Sequence, residues 1–256
     1  MGALEIVLLP CLTDNYCVLL HEPDSGETAA IDAPSAAAIK AALVERGWRL
    51  NHLFITHHHA DHTGGIAELK AFYGTAVTGP EAEADRIPGL TRGVTAASDL
   101  EFAGHPIKVL ETPGHTLGHV TYYFPNDGLV FTGDTLFSLG CGKIFEGEPE
   151  MMWDSLSKIA ALPDETEIYC GHEYTLNNAR FALTVEPENE VLKNRVEEVE
   201  TLRAAGKPTL PTTVALEKAT NPFLRPKSRA IQARLGMLGA PDWEVFARLR
   251  QLKNKA

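Results

Sequence analysis

The chain has 256 residues, 44% of them hydrophobic, and carries 23 Lys and Arg against 34 Asp and Glu, a formal net charge of −11. Such a chain can bury a full core, as one large domain or as one domain with a smaller one appended. The acidic balance argues against a nucleic-acid partner, which wants a cationic surface along its phosphates, and no apolar run reaches the length of a membrane helix.

In chain order, short strands are predicted at Leu4 to Leu9, Tyr16 to His21 and Thr28 to Ile31. The start of the chain has no basic n-region, its apolar run is cut by Glu5 and Pro10, and Ile6 stands where a myristoylation signal wants Ser or Thr, so a cytoplasmic protein is expected. Alanine-rich Ser35 to Arg46 reads as a helix with Ser35 as N-cap, stopping before Gly47. A strand at Leu53 to Thr56 then runs into Thr56-His57-His58-His59-Ala60-Asp61-His62. His57 and His59 sit two apart and can converge on one ion, while Asp61 and His62 follow on the next turn and can serve a neighbouring one. A dinuclear metal site is the expectation, against a His-rich surface tract as the bland alternative.

Gly65 to Tyr73 reads as a helix, and Ile107 to Glu111, His119 to Phe124 and Leu129 to Thr132 as strands. Three apolar runs end in a metal-capable side chain beside glycine, at Pro113-Gly114-His115, Gly133-Asp134 and Gly171-His172, the kind of strand end at which a rigid sheet carries functional residues. Pro149 opens a helix through Leu162. After Tyr174 only helices are predicted: Leu176 to Leu183, Glu188 to Ala205, Ala230 to Leu238, and Asp242 to Lys253 with Asp242 as N-cap. Lys207 to Arg229, with four prolines, reads as a surface connection. A boundary near residue 173 is expected, with a catalytic domain over 1–173 and a helical domain over 174–256. Cys11, Cys17, Cys141 and Cys170 show no CxxC spacing, so reduced, buried thiols are expected. His21, His52 and His105 lie outside every motif and read as structural.

The runs THHHADH, ETPGHTLGH, FTGDTLF and YCGHEYT resemble the metallo-β-lactamase superfamily. Leu139 to Gly147, Cys170 to Asn178 and Thr220-Asn221-Pro222-Phe223-Leu224-Arg225 further resemble its hydroxyacylglutathione hydrolase, or glyoxalase II, family. The resemblance implies an α/β fold, the αββα sandwich, followed by a smaller all-helical C-terminal domain. It implies that His57, His59 and His115 hold a first metal, that Asp61, His62 and His172 hold a second, and that Asp134 bridges both. Mixed imidazole and carboxylate donors suit two divalent ions, zinc first, with iron or manganese open, whereas magnesium or calcium would favour oxygen alone. His58 and His119 read as packing or supporting residues.

The implied reaction is hydrolysis of glutathione thioesters, chiefly S-lactoylglutathione to D-lactate and glutathione, as in methylglyoxal detoxification. A metal-bridged hydroxide attacks the thioester carbonyl, with Asp61 and Asp134 as the catalytic carboxylates and Asp61 the one suited to orient the hydroxide. By the same resemblance Lys143, Tyr174, Arg250 and Lys253 bind glutathione as a monomeric enzyme's substrate, and Phe145 stands where the family commonly has tyrosine, so a hydroxyl contact is lost. The bland readings are a core Tyr174, a solvated Lys143, and Arg250 with Lys253 as cations suited to a helix C-terminus. Alternative functions are an iron-dependent glutathione persulfide dioxygenase, a β-lactam hydrolase or RNA-processing nuclease, and a non-enzymatic metal-binding protein of the same fold.

Overall fold

The computed structural model describes residues 2–255. The chain gathers into two compact units, one running to Glu111 and including Gly118–Gly133, the other comprising Thr112–Leu117 and everything from Asp134 onward.

The first unit contains β1 (Glu5–Cys11), β2 (Asn15–Glu22), β3 (Glu27–Ile31), α1 (Ala36–Arg46), β4 (Leu50–Phe54), α2 (Ala60–Thr63), α3 (Ile66–Tyr73), β5 (Ala76–Pro80), β6 (Arg92–Val94), β7 (Leu100–Phe102), β8 (His105–Glu111), β9 (Val120–Phe124) and β10 (Leu129–Gly133), with a 3-10 turn at Glu81–Arg86. β1 to β6 follow one another in a single sheet. Its first two pairings are antiparallel and the next three parallel. β7 to β10 form an antiparallel succession. Parallel pairing demands cover on the sheet faces, and α1 and α3 supply it: Ile39, Leu43 and Leu69 are fully buried together with Leu19, Leu53 and Val77. Full burial of such a side chain is worth about 1.5–3 kcal/mol. α1 starts as expected, with the Ser35 hydroxyl accepting from Ala38 N at 3.3 Å, and stops at Gly47, whose φ of 70° only glycine adopts without strain. β5, β6 and β7 lie in a stretch for which no element is predicted above; β6 and β7 are three residues each, too short for a periodic signal.

The second unit contains β11 (Leu136–Phe137), β12 (Gly140–Cys141), α4 (Pro149–Ala160), β13 (Glu167–Cys170), α5 (Thr175–Val185), α6 (Glu190–Ala204), β14 (Thr212–Thr213), α7 (Val214–Thr220), α8 (Arg229–Leu235) and α9 (Asp242–Lys253). Two expectations need correction. Lys207 to Arg229 is no surface connection: it holds β14, α7 and the 3-10 turn Pro222–Leu224, and buries Val214, Glu217, Asn221 and Phe223. The fully buried Glu217 carboxylate accepts from Ser138 Oγ (3.0 Å), Leu139 N (2.8 Å), Thr212 Oγ1 (2.7 Å) and Asn221 Nδ2 (2.9 Å). Burial still holds its carboxyl above the usual range, against the pull of those donors. The prolines mislead because they punctuate short buried elements as readily as loops. Asp242 is not the cap of α9; Pro241 holds that position and Asp242 is the first helical residue, where its charge favours the helix dipole.

All four cysteines are free and buried. Among the described residues no helix is long and apolar enough to cross a membrane.

Candidate metal centre

In the first unit β3 and β4 run parallel, so the segments leaving their C-terminal ends emerge at the same edge. Asp32 leaves β3 in the left-handed region, at φ 59°, and is buried. Its Oδ1 accepts from Thr56 N at 2.8 Å and its Oδ2 from Thr56 Oγ1 at 2.9 Å. With its one proton so committed, the Thr56 hydroxyl accepts from His57 Nδ1 at 3.0 Å. His57 Nε2 therefore presents a lone pair, and it lies 3.0 Å from His59 Nδ1. Two nitrogens on one tetrahedral ion, with bonds of about 2.0–2.1 Å, sit about 3.3 Å apart, so this pair is spaced as ligands of one ion.

The same Asp32 Oδ2 accepts from His62 Nδ1 at 2.8 Å. That fixes the tautomer, and the His62 Nε2 lone pair then faces Asp61 Oδ2 at 3.6 Å. Asn15 Nδ2 steers Asp61, donating to its Oδ2 at 3.0 Å and its main-chain O at 3.2 Å. A nitrogen lone pair opposed to a carboxylate oxygen repels it unless a cation lies between them, so this half of the donor set fits a metal. His58 points elsewhere: its N donates to Glu83 Oε2 at 2.7 Å and its Nδ1 lies 2.9 Å from that oxygen. Glu83 Oε1 accepts from Gly118 N at 3.1 Å. The buried Glu83 carboxylate thus clamps the His-rich turn to the loop before β9. His119 is fully buried, its ring 5.1 Å from that of His57, and a Cβ on Gly133 would come within 2.6 Å of His119 Nε2 and Thr56 Oγ1.

The second unit repeats the pattern. His115 Nδ1 donates to Lys143 O at 2.7 Å, which leaves its Nε2 lone pair 3.3 Å from Asp134 Oδ2. His172 Nε2 lies 3.4 Å from the same oxygen. Two imidazoles from separate segments thus meet on one carboxylate. Gly142 is required here, because a Cβ would sit 1.9 Å from Asp134 O. Among the described residues, His57, His59, Asp61, His62, His115, Asp134 and His172 are the side chains that fall into groups able to hold a metal ion. No cysteine of the described residues falls into these groups, and burial pushes the Cys170 thiol up to about 12.

The expected substrate residues also lie in the second unit. Exposed Phe145 packs edge-on against His115, with ring centroids 5.2 Å apart, and Lys143 Nζ stands 5.1 Å over the Phe145 ring. Tyr174, 37% exposed and so not core, stacks on His172 at 4.6 Å. Arg250 is buried, with Nη1 donating to Cys141 O at 2.9 Å and Nε to Asn254 Oδ1 at 3.0 Å. Lys253 Nζ donates to Asn177 Oδ1 at 2.8 Å and Asn177 O at 3.1 Å. Both cations are held by neutral acceptors, with no carboxylate partner among the described residues. Partial burial and the nearby Arg250 charge hold the Lys253 amine down at about 8.

Residues 24–172 match the metallo-β-lactamase superfamily, and residues 173–256 match the C-terminus of hydroxyacylglutathione hydrolase. The hydroxyacylglutathione hydrolase of Brucella ovis is 55% identical over 251 residues, covering 98% of each chain. That of Brucella canis is equally similar, with 98% of this chain and 96% of the other covered. The chain belongs to the hydroxyacylglutathione hydrolase family of the metallo-β-lactamase superfamily. Two solved structures carry its fold: BLEG-1 B3 metallo-β-lactamase, with a TM-score of 0.66, 21% identity and coverage of 86% of this chain and all of the other, and ETHE1 from Myxococcus xanthus, with a TM-score of 0.66, 24% identity and coverage of 98% and 97%. The αββα class and the family's helical C-terminal part follow, as the motifs implied.

For a hydroxyacylglutathione hydrolase the residues that orient the donor set matter as much as the donors, and Asp32, Asn15 and Glu83 lie outside every motif. Asp32 carried a signal of the same kind as the others: Ala29-Ala30-Ile31-Asp32 is also an apolar run closed by an acid. Asn15 and Glu83 carried none, because only folding brings them to the His-rich turn.

Proposed function

We propose that the protein hydrolyses glutathione thioesters, chiefly S-lactoylglutathione to D-lactate and glutathione, in the cytoplasm and as a monomer. The observation that carries the substrate class is full-length identity of 55% to proteins named for that hydrolysis. In this reading His57, His59 and His115 would hold one divalent ion, Asp61, His62 and His172 would hold another, and Asp134 would serve both. Zinc suits the set best, with iron or manganese as alternatives. The catalytic domain spans 1–173 and the helical substrate-binding domain 174–256, a division supported by the two family matches, which meet at residues 172 and 173.

Bound there, the ions would supply a nucleophile at neutral pH and stabilise charge developing on the thioester oxygen. The protein's own contribution is orientation. Asp32 and the Lys143 carbonyl set the imidazole tautomers, Asn15 aims Asp61, and Asp61 orients the attacking oxygen. The leaving thiol, of pKa about 8.5 if it behaves as free cysteine, departs as thiolate without a strong general acid. Lys143, Tyr174, Arg250 and Lys253 would receive the peptide, the cations meeting its carboxylates. Phe145 offers a ring but no hydroxyl at that position.

The decisive assay follows loss of the S-lactoylglutathione thioester beside oxygen uptake with glutathione persulfide. Thioester loss without oxygen uptake is expected. Oxygen uptake alone would make the protein a persulfide dioxygenase, and neither activity in metal-replete protein would favour a non-enzymatic role.

A further inference from the structure

Away from the metal ligands, the second unit holds a cavity of about 640 Å³ walled by α5, α8 and α9. Its floor is apolar, with Phe181 and Val185 buried and Leu252 half-buried. Its rim carries exposed Arg180, Arg234 and Arg248, one from each helix. Among the described residues no acidic side chain lines it; Glu186 and Glu188 lie in a smaller neighbouring pocket that shares Val185 and Arg234. Elsewhere four arginines meet a carboxylate, Arg46 with Glu45, Arg195 with Glu198, Arg203 with Glu173, and Arg225 with Glu186, and Arg49 and Arg250 meet main-chain carbonyls. Arg180, Arg234 and Arg248 have no hydrogen bond, ion pair or ring contact among the described residues. Three guanidinium groups without a carboxylate partner among the described residues thus border one cavity, one from each of its three helices.

Three like charges facing one cavity repel one another, and an anion seated between them removes that cost. Each guanidinium presents a planar fork that matches phosphate oxygens in pairs. A single carboxylate would satisfy one fork, whereas a group with two or more negative charges engages several. The apolar floor adds a second requirement, since a bare inorganic anion would leave it wet. The volume lies within the range of small-molecule sites, about 300–1,000 Å³.

We propose that this cavity, which adjoins Lys253 through Asn177 and Phe181 in its wall but contains none of the proposed metal or substrate residues, is a second ligand site, and that it takes a small amphipathic phosphate: an apolar or aromatic body bearing at least two negative charges. A nucleotide and an alkyl phosphate both carry that chemistry.

The test is calorimetric titration of the full-length, metal-loaded protein at low salt with adenosine diphosphate, decyl phosphate and inorganic pyrophosphate in separate runs. Saturable binding of one molecule per chain is expected for adenosine diphosphate or decyl phosphate, and the tighter of the two names the source. Pyrophosphate should bind at least tenfold more weakly, and binding should weaken as salt rises. The Arg180→Ala/Arg248→Ala variant should lose at least tenfold in affinity while its melting temperature and kcat stay at the parent values; Arg234→Glu, a single change on another helix, should do the same. Absence of saturable binding by either amphiphile, equal binding of pyrophosphate, unchanged affinity in both variants, or displacement of the bound amphiphile by S-methylglutathione would each overturn the proposal.

Discussion

At the scale of single residues, Asp134 has the most to lose. One of its oxygens lies 3.3 Å from His115 Nε2 and 3.4 Å from His172 Nε2, so its removal leaves these two imidazoles without the group they share. Asp134→Ala is expected to lower kcat by roughly a thousandfold, about 4 kcal/mol of barrier. Asp134→Asn should be nearly as impaired, because the amide keeps the shape and lacks the charge. Near-normal kcat in a folded Asp134→Ala protein, measured with S-lactoylglutathione, would remove Asp134 from the reaction. Glu83 acts differently, as a positioning residue. It accepts from His58 N and Gly118 N out of contact with solvent, and Glu83→Ala strands two buried donors at about 1–3 kcal/mol each. At about 2–4 °C per kcal/mol for a chain of this size, a drop in melting temperature of roughly 4–24 °C is expected, together with weaker metal retention in competition with a chelator. Glu83→Gln should lie between the two, since the amide keeps one of two acceptor oxygens. A variant with parental melting temperature and metal affinity would show that the clamp does nothing.

At the scale of elements, α9 carries the clearest prediction. Arg250 and Lys253 lie three apart on one face of the helix, yet they differ in setting. Arg250 is tied to Cys141 O in β12, so Arg250→Ala should disturb the Cys141 to Phe145 segment as well as remove a charge. Lys253 is the cleaner probe. Its amine is held at about 8, first by partial burial and then by the Arg250 charge. Below that pH the ammonium is present and can meet a substrate carboxylate; as pH rises through it the charge is lost and so is the attraction. For the parent enzyme kcat/KM should fall above about pH 8 while kcat stays level, and the salt dependence of KM should shrink over the same range. In Lys253→Ala the KM should be raised about 5-fold, the loss of roughly 1 kcal/mol for a screened contact, and that alkaline fall in kcat/KM should vanish. Identical pH profiles for parent and variant would leave Lys253 as a helix-terminal cation held by Asn177.

At the scale of the whole molecule, the proposed ligands run from His57 to His172 along the chain, so under that assignment metal content and stability are one question. Elemental analysis of protein expressed in metal-replete medium should return close to two transition-metal ions per chain; one or fewer would sink the dinuclear reading. Any ion that binds the native state and not the unfolded chain stabilises by mass action. Chelation should therefore lower the melting temperature, and zinc added back should restore it. A melting temperature indifferent to chelation would mean that the donor set closes without metal. The acidic surplus works against an anionic substrate at long range, which leaves capture to the few local cations and makes α9 matter more than the total charge implies.

What the sequence determined by itself was whatever depends on local spacing or on a strand ending. The His-x-His-x-Asp-His turn, the acid or histidine beside glycine at three strand ends, the Ser35 cap and the Gly47 stop are all local signals, and each names its residue type by the chemistry it must perform. Where the chain folds back on itself such signals fail. Glu217 looks like any acid in a proline-punctuated stretch, and only the two donors that folding brings from Ser138 and Leu139, joining its neighbours Thr212 and Asn221, make it a buried anchor. Glu83 sits in a short 3-10 turn with no periodic pattern, and Asn15 opens a strand otherwise read for its apolar residues, yet both orient the His-rich turn. The tautomers of His57, His62 and His115 were likewise out of reach, because each is set by a hydrogen bond to Thr56, Asp32 or the Lys143 carbonyl. Spacing along the chain can nominate a ligand; which of its nitrogens holds a lone pair is decided by a partner that only the tertiary structure brings within 3 Å.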